Sequence, residues 1–411
     1  MNISEAKEEI RKTAEIYLYR EETGVYEIPF MKQRPILLIG APGIGKTAVV
    51  EQVARELKIG FVSYSMTHHT RQSAIGLPFI AERDYGEGNQ RISEYTISEI
   101  IAAVKDQVKY KGYEQGILFL DEINCVSETL FPALLQFLQY KTFGNHRLPE
   151  GWLIVTAGNP ARFNRFVREF DISVLDRLKV IRVEESFDAW KPYAFDNSVH
   201  GSILAFLELE PSCFYSVKNE EGEMAYATAR GWEDLSLAVR LYEKKGFTVD
   251  SALIGQYIPD KEITGKYEMF YRLYGECREK YPVKEILSGA AGQDTIKKAT
   301  EAPFDERLAL VELISDRLSE DIKAALREAD PLKDEAVKDA GNSLESAFHF
   351  IEEAWDRGQE LGFFLTRLTL GTYSSRFIAL FGSESYAKYG GRLLLNGRRE
   401  ALKAEILDLL F

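Results

Sequence analysis

Residues 34–50 have the sequence RPILLIGAPGIGKTAVV, and this stretch decides the fold. The apolar run at 35–39 predicts a short buried strand, and residues 47–57 predict the helix that follows it. Between them, residues 40–47 match the pattern G-x-x-x-x-G-K-[ST]. Glycines let successive backbone N–H groups converge on a phosphate, and a helix N-terminus adds unpaired donors. The stretch predicts a phosphate-binding loop, and a strand-to-helix turn that binds nothing is the alternative.

Two side chains of this loop have separate predicted roles. We expect Lys46 to reach the β- and γ-phosphates of a nucleotide and Thr47 to bind Mg²⁺ through its hydroxyl. The residues predicted to contact the nucleotide form one continuous run: Gly40, Ala41, Pro42, Gly43, Ile44, Gly45, Lys46, Thr47 and Ala48.

Bulk composition limits the class of protein. A chain of 411 residues exceeds one ordinary core, so we expect two or three domains. The formal net charge of -13 disfavours general binding to nucleic acid or to an anionic membrane, because phosphate backbones require excess Lys and Arg. Three widely spaced cysteines and a charged, helical N-terminus predict a protein of a reducing, cytoplasmic compartment. No apolar run approaches the ~20 residues that span a bilayer.

Two further predicted strands end in polar side chains. Residues 116–121 (GILFLD) are an apolar run that ends in Asp121 and Glu122. Because ligands gather at the carboxyl edge of a parallel sheet, we expect Asp121 to complete the Mg²⁺ site and Glu122 to polarise the attacking water. A strand at 152–157 (WLIVTA) ends near Asn159, which either hydrogen-bonds the γ-phosphate or the attacking water, or serves as an ordinary turn asparagine.

Two segments interrupt this alternation of strands and helices. Residues 66–97 predict an inserted hairpin or loop, and residues 141–151 predict a second hairpin. The insert contains the adjacent pair His68 and His69, but no third ligand lies at metal spacing, so the pattern favours solvated or hydrogen-bonded histidines.

Arginines follow the Asn159 segment. Arg177 lies directly before a predicted fifth strand at 179–184. It is either a local salt-bridge partner or a finger that reaches the nucleotide of a neighbouring subunit, since a planar guanidinium stabilises transition-state charge on phosphate. After this strand the sequence predicts mostly helices, including residues 197–209 and 227–246, the latter capped by Thr228. Residues 304–330, 333–358 with a break at Gly341, and 392–410 are the predicted C-terminal helices.

In this order the motifs resemble the AAA+ ATPases, and within them the MoxR group. The resemblance rests on GAPGIGKT, on AIGLPF in the insert, on LFLDEIN, on VTAGNP after the second hairpin, on LDRL and on ARGW. It covers about residues 30–290 and leaves the last hundred or so residues without a recognised motif. It implies an α/β core with a central parallel five-stranded sheet, followed by an α-helical lid and a C-terminal helical extension.

The resemblance also assigns boundaries and roles. It implies an N-terminal helical segment at 1–34, an ATPase core at 35–190, a lid at 191–300 and an extension at 301–411. ATP and Mg²⁺ are the implied ligands, with Asn159 as first sensor, Arg177 as trans finger and Arg230 as second sensor. The finger has three competitors: Arg162, Arg165 and Arg168.

Three functions are compatible with these motifs. The first is a ring, commonly a hexamer, that hydrolyses ATP to remodel a protein client, with a partner chain that carries a von Willebrand factor A domain. The second is an ATP-dependent switch or scaffold with slow hydrolysis. The third, a nucleic-acid motor, is disfavoured by the acidic balance of the chain.

Overall fold

The computed structural model describes residues 1–68, 70–86, 88–163, 167–168, 170–220, 223–327, 335–356 and 358–390. The chain divides into two compact units, Met1–Ala189 and the part that begins at Trp190.

The first unit contains a five-stranded parallel sheet. Its strands and helices in chain order are α1 Ile3–Leu18, β1 Ile36–Gly40, α2 Lys46–Glu56, β2 Gly60–Ser65, α3 Arg71–Ile75, β3 Pro78–Asp84, β4 Asn89–Tyr95, α4 Glu99–Lys111, β5 Gly116–Asp121, α5 Phe131–Tyr140, β6 Thr142–Phe143, β7 His146–Arg147, β8 Trp152–Gly158, α6 Ile172–Leu175 and β9 Lys179–Val183. The sheet order is β2-β5-β8-β1-β9, and all its pairs are parallel. The α/β core with a helical C-terminal part, predicted from sequence, is confirmed.

Burial explains why the central strands are apolar along their whole length. Every residue of β8 is buried, as are five of the six residues of β5. A parallel strand covered on both faces needs a continuous apolar run, in contrast to the alternation of a half-exposed strand. The carboxyl ends of β1, β5 and β8 therefore meet at one edge, where their polar extensions lie.

The two predicted hairpins of this unit are present. β3 and β4 pair antiparallel inside the insert, and β6 and β7 pair in the second hairpin. Helix α1 packs on α2 and β9, and the Met1 amino group donates to the Arg182 carbonyl oxygen at 3.1 Å. The N-terminal helix is thus integral to the sheet unit.

Helix α7, Phe187–Asp196, begins in the first unit and continues into the second. The remaining elements are α8 Gly201–Leu209, β10 Ser216–Glu220, β11 Glu223–Ala227, α9 Ala229–Lys245, α10 Ser251–Tyr257, α11 Lys261–Lys280, α12 Val283–Leu287, α13 Gln293–Glu301, α14 Phe304–Arg327, α15 Glu335–Trp355, α16 Gln359–Leu370 and α17 Thr372–Phe381. Residues 384–390 are also helical. Helix α14 packs against α8, α11, α15, α16 and α17, and its apolar stripe, which includes Leu308, Val311 and Ile314, is buried.

Several predicted boundaries are wrong. Residues 197–209 are not one helix, because the left-handed Ser198 (φ 54°) separates α7 from α8. Pro192 concealed α7 from pattern analysis, since proline normally ends a helix. The hairpin of β10 and β11 was not predicted, because apolar and polar residues show little alternation along its five-residue strands.

The predicted break at Gly341 is also wrong, because α15 continues through it. Glycine costs about 1 kcal/mol inside a helix, and the buried stripe that includes Leu344 and Phe348 offsets this cost. The predicted helix at 392–410 lies outside the described residues. The predicted domain boundary near residue 300 remains a prediction.

Candidate nucleotide-binding site

The loop at 40–47 has the backbone that its glycines allow. Gly45 precedes α2 with φ 93°, in the left-handed region that favours glycine. At Gly40, a Cβ atom would lie 2.7 Å from the Val183 carbonyl oxygen, so only glycine fits beside β9. The loop can therefore turn tightly into the N-terminus of α2, where unpaired N–H groups favour an anion.

Lys46 is buried within this loop. It is 8% exposed, and its Nζ donates to the carbonyl oxygens of Gly40 and Ala41, each at 2.8 Å. The same Nζ donates to Asn159 Oδ1 at 2.9 Å. The loop lysine and the asparagine predicted at the tip of β8 are therefore in direct contact.

Thr47 and Asp121 form the second link. Thr47 Oγ1 donates to Asp121 Oδ2 at 2.9 Å, which joins the first turn of α2 to the end of β5. A hydroxyl and a carboxylate oxygen are hard donors of the kind that Mg²⁺ prefers. These two oxygens fit the predicted cation, and the phosphate-binding loop beside them fits a nucleoside triphosphate.

Glu122 has a strained backbone and a restrained side chain. Its φ of 56° is unusual for a non-glycine residue, and such strain is typical of functional positions. Its carboxylate oxygen Oε2 accepts hydrogen bonds from Ser65 Oγ at 3.0 Å and Thr67 Oγ1 at 2.8 Å. The carboxylate predicted to activate water is thus held by two hydroxyls.

These two hydroxyls and Asn124 were not singled out from the sequence. Ser65 ends β2 and pairs in register with Asp121, so strand pairing places it beside the acidic pair. Asn124 Nδ2 donates to the Asn159 carbonyl oxygen at 2.8 Å and fixes the tip of β8. In the sequence, the only signal for Ser65 was that residues 60–65 (GFVSYS) end in polar side chains.

Replacing Thr67 with Val should release one side of Glu122 and raise the basal rate of ATP hydrolysis about tenfold or more, since hydrogen bonds to charged groups contribute about 1.5–3 kcal/mol. Thr67→Ser keeps the hydroxyl and is the matched control, expected at the parental rate. Steady-state phosphate release measures the effect. A fall in rate would show that Thr67 holds Glu122 in its productive orientation.

The nearby Cys125 is unsuited to nucleophilic chemistry. Burial raises the pKa of its thiol, and the charges of Glu122 and Asp121 raise it further. It therefore stays protonated at neutral pH. Cys213 and Cys277 are buried, and all three cysteines are free.

The predicted arginines lie outside these contacts. Arg177 is exposed, and its Nη1 donates to Gln139 Oε1 at 2.7 Å. Arg168 pairs with Glu128 at 2.5 Å, and the Arg162 guanidinium lies 4.6 Å from the centre of the Phe163 ring. The competing Arg165 lies outside the described residues.

Arg230 belongs to the second unit. It is exposed in the first turn of α9, whose N-cap is Thr228 as predicted. Its role as second sensor remains a prediction.

The histidine pair gains no support as a metal site. His69 lies outside the described residues, and within the described ranges no group of three or more His, Cys, Asp or Glu side chains could hold a metal ion. Likewise, none of the described helices combines the length and apolar character needed to cross a membrane.

Comparison with known proteins supports the assignment of the first unit. Residues 35–177 match the family model of the AAA domain (dynein-related subfamily). Lon protease 2 of Borreliella burgdorferi is 30% identical over 175 residues, which are 39% of this chain and 19% of that protein. The chain thus spans about a fifth of the length of that curated relative. Residues 35–177, which include strands β1, β2, β5 and β8 of the parallel sheet, are therefore similar to the AAA domain, and this similarity supports an AAA+ ATPase.

Proposed function

We propose that this chain is a ring-forming, MoxR-like AAA+ ATPase of the cytoplasm that uses ATP and Mg²⁺ to remodel or activate a protein client. The observation that carries the proposal is the double link at one sheet edge, where Lys46 meets Asn159 and Thr47 meets Asp121. A glycine-rich turn without a ligand has no need for either link.

In this proposal the residues of the site have distinct tasks. The backbone of residues 40–48 and the Lys46 side chain bind the phosphates, while Thr47 and Asp121 hold the cation. When bound, the cation withdraws charge from the phosphate oxygens. Glu122 orients and polarises the water, and Asn159 fixes its position relative to Lys46. Arg177 and Arg230 are proposed to act from a neighbouring subunit and from the lid, respectively.

The ring, its hexameric size and a von Willebrand factor A domain partner come from the MoxR resemblance. The hairpin of β3 and β4 offers a surface for client or partner contact, because Phe79 and Ile80 are 44% and 72% exposed. Large exposed apolar side chains are typical of interaction surfaces.

A switch or scaffold with slow hydrolysis is the second candidate. The hydrogen bonds from Ser65 and Thr67 to Glu122 favour it, because a restrained base implies a low basal rate. The rate of ATP hydrolysis with and without the client distinguishes the two functions. Strong stimulation by the client supports remodelling, whereas an unchanged rate supports the scaffold. Glu122→Gln protein loaded with ATP is the reagent with which to capture that client.

Lys46→Ala should weaken nucleotide binding at least tenfold, because it removes the buried ammonium group from the loop, and a charge-assisted contact contributes about 1.5–3 kcal/mol. Titration with a fluorescent ATP analogue measures this. Lys105→Ala, an exposed position on α4, is the control and should bind like the parent. Equal affinity of Lys46→Ala and the parent would contradict the phosphate-binding assignment.

A further inference from the structure

The second unit contains a cavity of about 830 Å³ that the proposed ATPase site does not use. It lies among the helical elements after Trp190, and the aromatic side chains of Phe195, Tyr274 and Tyr281 contribute to its wall. Sites for small organic molecules typically measure about 300–1,000 Å³ and combine aromatic walls with a few polar groups. The cavity has the size and the wall of such a site.

Its lining has the opposite charge balance to the whole chain. Among the described residues, six arginine and lysine side chains and four carboxylates line it, an excess of two positive charges, whereas the formal net charge of the chain is -13. Three of the four carboxylates pair with arginines of the lining: Glu243 with Arg278, Asp316 with Arg367 and Glu320 with Arg317.

Arg367 is a buried cation with incomplete hydrogen bonding. It lines the cavity, is 5% exposed, and donates from Nη2 to Asp316 Oδ1 at 2.7 Å. In the described part of the chain, its Nη1 and Nε have no hydrogen-bond partner. Nε lies 3.7 Å from Glu312 Oε2, but burial raises the pKa of Glu312 to about 8 against the opposing charge of Arg367. Asp316 is therefore the hydrogen-bonded counter-charge of Arg367, whose guanidinium also lies 4.0 Å from the centre of the Phe195 ring in the cavity wall.

Lys323 and Arg240 bring two more cations to the same cavity. Lys323 Nζ donates to Ser198 Oγ at 2.6 Å. Burial lowers the pKa of Lys323, and the charges of Arg367 and Arg240 lower it further, although Asp196 and Asp316 oppose them. Among the described residues, the Arg240 side chain has no ion-pair or hydrogen-bond partner. The positive charges of Arg367, Lys323 and Arg240 repel one another, and a bound anion would reduce this repulsion.

We propose that this cavity binds a phosphate monoester carried on a small organic group. A monoester dianion matches the excess of two positive charges, and arginine side chains bind phosphate through two parallel hydrogen bonds. The volume exceeds that of phosphate alone, so the organic group occupies the space beside the aromatic side chains. The proposal is independent of ATP hydrolysis, since every residue named for it lies in the second unit.

Phenyl phosphate is a suitable probe, with inorganic phosphate and benzoate as comparisons. Binding is measured by isothermal titration calorimetry on the full chain that carries Lys46→Ala. This substitution weakens binding of the probes at the loop of residues 40–47. We expect phenyl phosphate to bind more tightly than inorganic phosphate, and both more tightly than benzoate. Arg240→Gln and Lys323→Gln should each lower its affinity about tenfold or more, because each removes a charged donor.

Arg272→Gln is the matched control, since this arginine lies on α11 outside the cavity with a 71% exposed side chain. Arg240 and Lys323 are partly exposed, so their variants should fold even if Arg367→Met does not. Phenyl phosphate binding that survives both substitutions, or that is absent from the Lys46→Ala parent, would overturn the proposal. Tighter binding of benzoate would overturn the assignment to phosphate.

Discussion

Glu122→Gln is expected to reduce ATP hydrolysis about 10²- to 10⁴-fold while leaving nucleotide affinity nearly unchanged. Glutamine has the shape of glutamate but cannot polarise water as a base. Its amide oxygen can still accept the hydrogen bonds that Ser65 and Thr67 donate in the parent, so the local fold should persist. Single-turnover phosphate release gives the rate, and equilibrium titration gives the affinity.

Glu128→Gln is the control for this experiment. Glu128 lies on the same connection between β5 and α5, but its side chain is 85% exposed and pairs only with Arg168 among the ion pairs of the described residues. Loss of this carboxylate should leave the rate of ATP hydrolysis within about twofold of the parental rate, because an exposed ion pair contributes little to stability. Hydrolysis at the parental rate in Glu122→Gln would show that another group activates the water.

Arg177→Ala is expected to leave ATP binding nearly intact and to reduce the rate of ATP hydrolysis about 10³-fold or more. An arginine that completes the site of a neighbouring subunit typically has an effect of this size on the rate. The Arg177 side chain is exposed and has a single hydrogen bond among the described residues, to Gln139, which leaves the guanidinium available to another subunit. Arg55→Ala, an exposed arginine on α2, is the control and should retain the parental rate.

Mixing two inactive proteins separates action in trans from a local role. Lys46→Ala supplies an intact Arg177, and Arg177→Ala supplies an intact nucleotide site. If the arginine acts between subunits, the mixture should regain activity that neither protein has alone. No recovery in mixed rings would argue for a local role. Full activity of Arg177→Ala would instead transfer the finger to Arg162, Arg165 or Arg168.

The candidate site shows what pattern analysis can predict. Lys46, Thr47 and Asp121 could be predicted to lie at one sheet edge, because a phosphate-binding loop needs glycines and a lysine at fixed spacing, and a buried parallel strand needs an apolar run before its acidic tip. Those requirements are local, so they are written in consecutive residues. Ser65 and Thr67 could not be assigned in the same way, because their contact with Glu122 depends on which strand lies beside β5.

The fold shows the same division. Local sequence determined the strand and helix of residues 34–57 and the two predicted hairpins, since each depends on short-range periodicity or turn chemistry. The hairpin of β10 and β11 and the continuity of α15 through Gly341 were decided by tertiary packing, which offsets weak local preference.

The sequence by itself thus determined a glycine-rich strand-to-helix loop with the spacing expected for phosphate binding, and an acidic strand tip. Only the tertiary structure decided that Lys46 contacts Asn159, that two hydroxyls hold Glu122, and that cations distant in sequence surround one cavity. The physical reason is that motif spacing reflects contacts between near neighbours in the chain. Contacts between distant residues arise from strand order and helix packing, which no single stretch encodes.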